Sequence, residues 1–98
     1  MDYNSGGSIF WNGNSANGNK SYYTNDIVGM EVDMISHRIF FFHTFLQQPV
    51  CLTNIPAILK VGLTYQPNND SQFSVFVYKL RKPLADPAKS PTIKQWIS

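Results

Sequence analysis

A chain of 98 residues is long enough for one domain with a modest hydrophobic core, and 43% of its residues are hydrophobic. Seven Phe, five Tyr and two Trp supply large flat side chains for that core, which excludes disorder for the middle of the chain. The net charge of +2 is too small, and the basic residues are too sparse, to indicate a protein that binds nucleic acid.

The sequence also restricts the compartment in which the protein is expected. Cys51 is the single cysteine, so an internal disulfide is impossible and nothing indicates an oxidising environment. No apolar run approaches the ~20 residues of a membrane span, and Met1 is followed by polar residues rather than by a signal peptide. We therefore expect an intracellular, cytoplasmic protein that contacts no membrane.

The first twenty residues are mostly small and polar. Residues 1–7 are expected to be loosely held. Residues 8–11 form a short apolar run that predicts a strand, and the Asn12-Gly13 step that follows is the strongest turn signal in the chain. Residues 14–19 are all Asn, Ser, Ala or Gly, which predicts a long surface loop. Such a loop either binds a partner or merely connects two strands.

The central part of the chain predicts a β-hairpin. Residues 28–34 alternate between apolar side chains and polar or small ones, which is the period of a strand with one face in a core and one in water. A short break at 35–37 leads into residues 38–42, a run rich in aromatic residues that does not alternate. The second strand is therefore expected to be covered on both faces.

After the hairpin, two more strands and a tail are predicted. Residues 59–65 and 72–80 alternate, with a polar turn at 66–70 between them. Prolines at 83, 87 and 91 interrupt regular structure, so residues 81–98 predict an extended tail, which is basic. Its apolar residues Ile93, Trp96 and Ile97 are expected to dock on the body. We therefore divide the chain into a sandwich domain, residues 1–80, and a tail, residues 81–98.

The order of these features carries a family resemblance. The aromatic and Asn-Gly step at 10–13 is followed by Asp26-Ile-Val-Gly29, then by Glu31-Val-Asp33-Met34, then by Arg38-Ile-Phe-Phe-Phe42. This order resembles the second half of a SPRY domain, in which a D-V-I-G-x-x-x-D strand turns into an R-x-I-F-F strand. A later valine-glycine step matches Lys60-Val-Gly-Leu63. The resemblance covers about residues 8–78.

Two features depart from the SPRY pattern. His43-Thr44-Phe45-Leu46 stands where the family has a Lys-Asn-Gly turn, so the loop there is expected to be reshaped. A complete SPRY sandwich also has strands before the point at which this chain begins, so we expect a sandwich that is incomplete at its N-terminus. The chain is then a fragment, a truncated relative, or half of a fold that another chain completes.

No combination of residues indicates catalysis, a metal site or a cofactor. Cys51 has apolar neighbours, which are typical of an inert buried thiol. His37 and His43 are expected at opposite ends of a strand, with ~3.3 Å for each residue between them, which is too far apart to share a metal. Glu31 and Asp33 share a strand face and are interpreted as solvated carboxylates.

The predicted fold is an all-β antiparallel sandwich of the SPRY and concanavalin-like kind. The resemblance implies a non-enzymatic module, often part of an adaptor, that binds a protein or peptide through loops at one end of the sandwich. Two alternatives stay open: a carbohydrate-binding lectin-like sandwich, and a structural half-domain that forms a homodimer through its open sheet edge. The predicted partner-binding residues are Trp11, Asn12, Asn14, Tyr22, Tyr23, Asn68 and Asn69.

Overall fold

Two β-sheets form the fold in the computed structural model, which describes residues 1–64, 74 and 76–96. The first sheet contains β1 (Asp2–Asn4), β2 (Ile9–Trp11), β3 (Asn14–Ala16) and β8 (Gly62–Thr64). The second contains β4 (Val28–Asp33), β5 (Arg38–His43), β6 (Leu46–Gln47), β7 (Val50–Thr53) and β9 (Thr92–Gln95). The described residues include one 3₁₀ turn, Pro87–Lys89, and no α-helix. The all-β prediction is confirmed.

Both sheets are mixed rather than wholly antiparallel, which differs from the prediction. The strand order is β3-β2-β1-β8 in the first sheet and β4-β5-β7-β9 in the second, where β6 also pairs with β5. β8 pairs with β1 in parallel, and β9 pairs with β7 in parallel. Each of these strands joins its sheet after a long connection, and a parallel pair requires such a connection because a tight hairpin can join only antiparallel strands.

Both sheets contribute side chains to one hydrophobic core, as in a β-sandwich. Tyr3, on β1, is fully buried and connects the two sheets. Its ring packs edge-on against Tyr22 at 5.2 Å and against Phe41, on β5, at 5.5 Å between centroids. Each edge-to-face contact adds about 0.5–1.5 kcal/mol to the burial of the rings themselves.

The N-terminal residues are part of this core, so the prediction that residues 1–7 are loosely held is wrong. β1 lies between β2 and β8, and the Tyr3 hydroxyl donates to the Lys20 carbonyl at 2.7 Å. Asp2 and Asn4, on either side of Tyr3, face away from the core. Because two of its three residues are polar, β1 has the composition of a loop.

The Asn12-Gly13 turn is confirmed, but the long loop predicted after it is not. Asn12 and Gly13 have φ of 44° and 78°, and Trp11 pairs with Asn14 across them, as in a two-residue hairpin. Residues 14–16 then form β3, in which Ala16 faces the core. β3 has only one apolar residue, Ala16, and its other residues are typical of turns. Composition alone therefore predicted a loop.

The β4–β5 hairpin is confirmed in continuous register from Val28↔His43 to Asp33↔Arg38. At its turn, Asp33 Oδ1 accepts hydrogen bonds from the backbone N–H groups of Ile35 and Ser36. Phe40 is buried on the face of β5 opposite the core, as expected for a strand covered on both faces.

The C-terminal third differs most from the prediction. Of the strand predicted at 72–80, residues 72, 73 and 75 lie outside the described residues, and the remainder is exposed and forms no strand. The strand predicted at 59–65 is limited to β8 in the described part of the chain, and Tyr65 lies outside it.

Residues 84–96 do not form an extended tail, because β9 belongs to the second sheet. Trp96 donates its backbone N–H to the Thr53 carbonyl at 2.8 Å and packs on the core, as expected. Ile93 is exposed instead, and Ile97 lies outside the described residues.

Gly7 allows the turn after β1 to approach the chain that follows β3. Its φ is +90°, and a Cβ placed on it would lie 2.2 Å from the carbonyl oxygen of Asn19. Asn19 is itself fixed, because its side-chain Oδ1 accepts a hydrogen bond from the buried Val50 N–H at 2.9 Å. Gly13 also has positive φ, +78°, but nothing lies within 4 Å of its Cβ position.

We predict that Gly7→Ala lowers the free energy of unfolding by more than ~2 kcal/mol, because it combines left-handed strain with a backbone clash. Gly13→Ala is the matched control, with the strain alone and a cost of about 1 kcal/mol. Urea unfolding of both variants measures the difference. Equal losses in the two variants would contradict the close approach at Gly7.

Candidate functional site

The structure places the predicted partner-binding residues on two separate surfaces and in the core. Asn12 and Asn14 line a shallow depression of about 420 Å³ beside Phe10, on the β2–β3 hairpin. Trp11 also borders it, but only 5% of its surface is exposed because the ring belongs to the core. Asn68 and Asn69 lie outside the described residues.

Tyr22 is a core residue, so its assignment to a binding surface does not fit the structure. Its exposed fraction is 3%, and its hydroxyl lies 2.7 Å from the Thr64 carbonyl oxygen and 2.8 Å from that of Tyr3. Burial, with smaller contributions from Asp2 and Tyr3, raises the pKa of Tyr22 to about 12. The adjacent Tyr23 is 66% exposed and lies at a different site, a large open groove.

This groove, the β4 groove, lies between β4 and residues 76–84 and encloses about 1950 Å³. Residues 22–27 and 61–63 line it as well, together with Phe45 from the turn after β5. Much of its lining is exposed and apolar: Ile27, Ile35, Phe45, Val61, Phe76 and Tyr78. Contiguous exposed apolar surface of this kind marks interaction sites in soluble proteins.

The outer edge of β4 lies in the groove and presents unpaired backbone groups. The Thr44 N–H donates to the Ile27 carbonyl, so Ile27 and Thr44 form a hydrogen-bonded pair. The Phe41 carbonyl accepts from the Gln48 N–H, on the side of β5 away from β4. In the observed register, Val28, Met30 and Val32 are therefore the residues whose N–H and C=O groups point away from β5. Within the described residues β4 pairs only with β5, so these groups form an open edge.

Glu31 holds the C-terminal segment against the side of the groove. Its carboxylate accepts hydrogen bonds from the backbone N–H groups of Leu84 at 2.7 Å and Ala85 at 3.1 Å. The Gln47 side chain continues this attachment by accepting from the Asp86 N–H and donating to the Asp86 carbonyl. The prediction of Glu31 as a solvated carboxylate is wrong, because it is partly buried and bonded to the chain.

Asp26 fixes the loop that carries Tyr23 at one end of the groove. Its Oδ2 accepts a hydrogen bond from the Tyr23 N–H at 2.8 Å and lies 3.0 Å from His43 Nε2. The hydrogen bond with His43, followed by that from Tyr23, holds the pKa of Asp26 below its usual value. The exposed Tyr23 ring therefore projects from an anchored backbone.

The described residues contain no group of three His, Cys, Asp or Glu side chains that could hold a metal ion. Cys51 is buried and its pKa is raised by that burial, so the thiol is not activated as a nucleophile. No helix in the described part of the chain is long and apolar enough to cross a membrane.

Comparisons with known proteins returned no match from family models, from curated proteins or from solved structures. What the β4 groove can bind therefore follows from its geometry alone. Sequence reasoning missed it, because the groove exists only where residues 76–84 lie opposite β4 without pairing with it. The available signal is the apolar composition of residues 76–80, which belong to the segment 72–80 that the sequence predicts as a strand.

We predict that Tyr22→Phe lowers the free energy of unfolding by about 1–2 kcal/mol, because the carbonyls that its hydroxyl contacts lose a donor. Tyr23→Phe, at an exposed hydroxyl, is the control and is expected to change little. Urea unfolding at neutral pH compares the two, and an equal effect would contradict the structural role of Tyr22.

The same tyrosines predict an alkaline transition. Burial raises the pKa of Tyr3 and of Tyr22 to about 12, above the unfolded value of about 10. Their contribution to stability is complete below pH ~10 and is lost as the pH rises towards ~12. Stability measured across this range should fall less steeply for Tyr22→Phe than for the wild type.

We also predict that Glu31→Ala accelerates amide hydrogen exchange at Leu84 and Ala85, because both N–H groups lose their acceptor. Glu31→Gln retains one side-chain oxygen and should have a smaller effect. Exchange at Trp96, which donates to β7, serves as an internal reference. Unchanged exchange at Leu84 and Ala85 in Glu31→Ala would show that the segment is held by other contacts.

Proposed function

We propose that this chain is a non-enzymatic protein-interaction domain that binds an extended segment of polypeptide in the β4 groove. The observation that carries this proposal is the coincidence of an open strand edge with exposed apolar surface in one groove. An edge alone offers hydrogen bonds and an apolar patch alone offers burial, but a bound strand requires both.

The binding mode that fits this geometry is strand addition to a sheet edge. A peptide beside β4 would bond with the outward N–H and C=O groups of Val28, Met30 and Val32, which supplies affinity without regard to sequence. Its side chains would then contact the apolar lining, including Tyr23 and Phe45, which supplies selectivity. Because Asp26 anchors the Tyr23 backbone, little ordering of that loop would oppose binding.

The SPRY resemblance supports the same class of function, and a SPRY-like sandwich is our proposal for the type of fold. The proposed surface differs from the one that the resemblance implied, because Trp11 and Tyr22 are committed to the core. Their burial also removes the aromatic platform on which the carbohydrate-binding alternative depended, since sugars and bases stack on exposed ring faces. We therefore retain protein binding in preference to carbohydrate binding.

The test uses Val32→Pro, which deletes an outward N–H without removing a bond to β5. Val32→Thr, which has a similar shape and keeps the N–H, is the matched control. Peptides selected on the wild type from a random library should bind Val32→Pro at least about tenfold more weakly and Val32→Thr nearly unchanged.

Amide exchange locates the bound peptide independently of affinity. Binding in the β4 groove should slow exchange at Met30 and Val32, whose N–H groups face outward, and leave Glu31, already bonded to β5, unchanged. Selected peptides that bind Val32→Pro normally but lose affinity for Asn12→Ala would move the binding surface to the β2–β3 hairpin and overturn the assignment of the groove.

A further inference from the structure

We infer that the strand bound in the β4 groove is β4 of a second copy of this chain, so that two copies pair antiparallel about a two-fold axis. This inference rests on the proposed function, since it names the partner of the same groove. It follows from the form of the strands at the ends of the two sheets, the register that a two-fold axis permits, and the charges along β4.

The strands at the four ends of the two strand orders, in the described part of the chain, are not equally open. β3 and β8 have three residues each, and β9 carries Lys94 in an exposed strand. Short length and an edge lysine are devices by which natural sheets prevent pairing with another chain. β4 has six residues in uninterrupted register, with no lysine, proline or bulge. β4 carries Glu31 and Asp33, but it is the longest of these strands and the one most open to pairing.

One register makes β4 complementary to itself. With the two-fold axis at Met30, Met30 pairs with Met30 of the second copy, and Val28 pairs with Val32 of the second copy at each end. These are the residues whose N–H and C=O groups point outward, so each pair exchanges two backbone hydrogen bonds. The ladder then uses every outward group of β4.

The charges on the strand favour this same register. With the axis at Met30, Glu31 faces Gly29 of the second copy, which has no side chain, and Asp33 faces Ile27 of the second copy. Moving the axis to Glu31 would place the two Glu31 side chains opposite each other, which is unfavourable. Moving it to Gly29 leaves Val32 opposite Asp26 of the second copy, outside β4, and shortens the ladder.

The apolar face of β4 would continue across the pair. Val28 and Met30 already pack against the core of their own copy, whereas Val32 is 39% exposed. In the Met30 register, Val32 lies beside Val28 of the second copy, so its exposed surface is covered at both ends of the ladder. An unrelated peptide could form the same backbone hydrogen bonds. Only the side chains of a second β4 are known to match those of β4 in this register.

Gly29 provides a register-specific test, because a Cβ there meets only Phe42 Cβ at 3.7 Å, an ordinary contact. Gly29→Asp places an acid opposite Glu31 twice in the dimer and should weaken dimerisation about tenfold. Gly29→Lys is the matched charge reversal and should strengthen dimerisation.

Val32→Pro should abolish dimerisation, with Val32→Thr as its control. Near-ultraviolet circular dichroism establishes that each variant is folded.

The measurement is the molar mass of the 98-residue chain by sedimentation equilibrium over a wide concentration range, with amide exchange of the wild type. A dimer that responds oppositely to the Gly29 variants, and that protects Met30 and Val32 amides, supports the inference. A dimer insensitive to all these variants overturns it, because another surface is then used.

A monomer that binds library-selected peptides in the β4 groove also overturns the inference, but the proposed function stands. A folded monomer that binds no peptide there overturns both. The dimer inference and the proposed function can therefore fail separately.

Discussion

The structure depends on the burial of the Tyr3 ring between Tyr22 and Phe41. This contact connects the first sheet to the second, and it requires the N-terminal residues to form the inner strand β1. β2 and β8 can join the sheet only because β1 lies between them. The close approach of Gly7 to Asn19 follows from the same placement, since the turn after β1 must pass beside the chain that leaves β3.

This core also decides which aromatic residues are available for function. Trp11 and Tyr22 are buried in the core. The sequence alone left two roles open for aromatic residues beside Asn-rich segments, closing the end of a sandwich or stacking on a ligand. The apolar residues left exposed are concentrated elsewhere, around β4. A domain of 98 residues has a small hydrophobic core. The exposed apolar surface around β4 is therefore large in comparison, and a bound strand could bury it.

The same feature of β4 underlies both proposals. Its outward backbone groups face a groove because Glu31 and Gln47 hold residues 84–86 to one side, while residues 76–80 do not pair with the strand. A general peptide and a second β4 would use the same hydrogen bonds. The two partners differ in their side chains. The placement of Glu31 opposite Gly29 of the second copy would favour binding of a second β4 over binding of a general peptide.

The all-β class, the Asn12-Gly13 turn and the β4–β5 hairpin could be predicted from the sequence, because period-two alternation and turn chemistry act between neighbouring residues. Three features depend on contacts between distant parts of the chain: β1 lies inside the first sheet, β9 extends the second, and Tyr22 is buried. β8 and β9 make parallel pairings across long stretches of chain. The alternation at 59–65 predicted a strand where β8 lies but not its pairing with β1, and the four residues of β9 leave no periodic signal. The β4 groove belongs to the second group, since whether an apolar residue is covered depends on which distant segment packs on it.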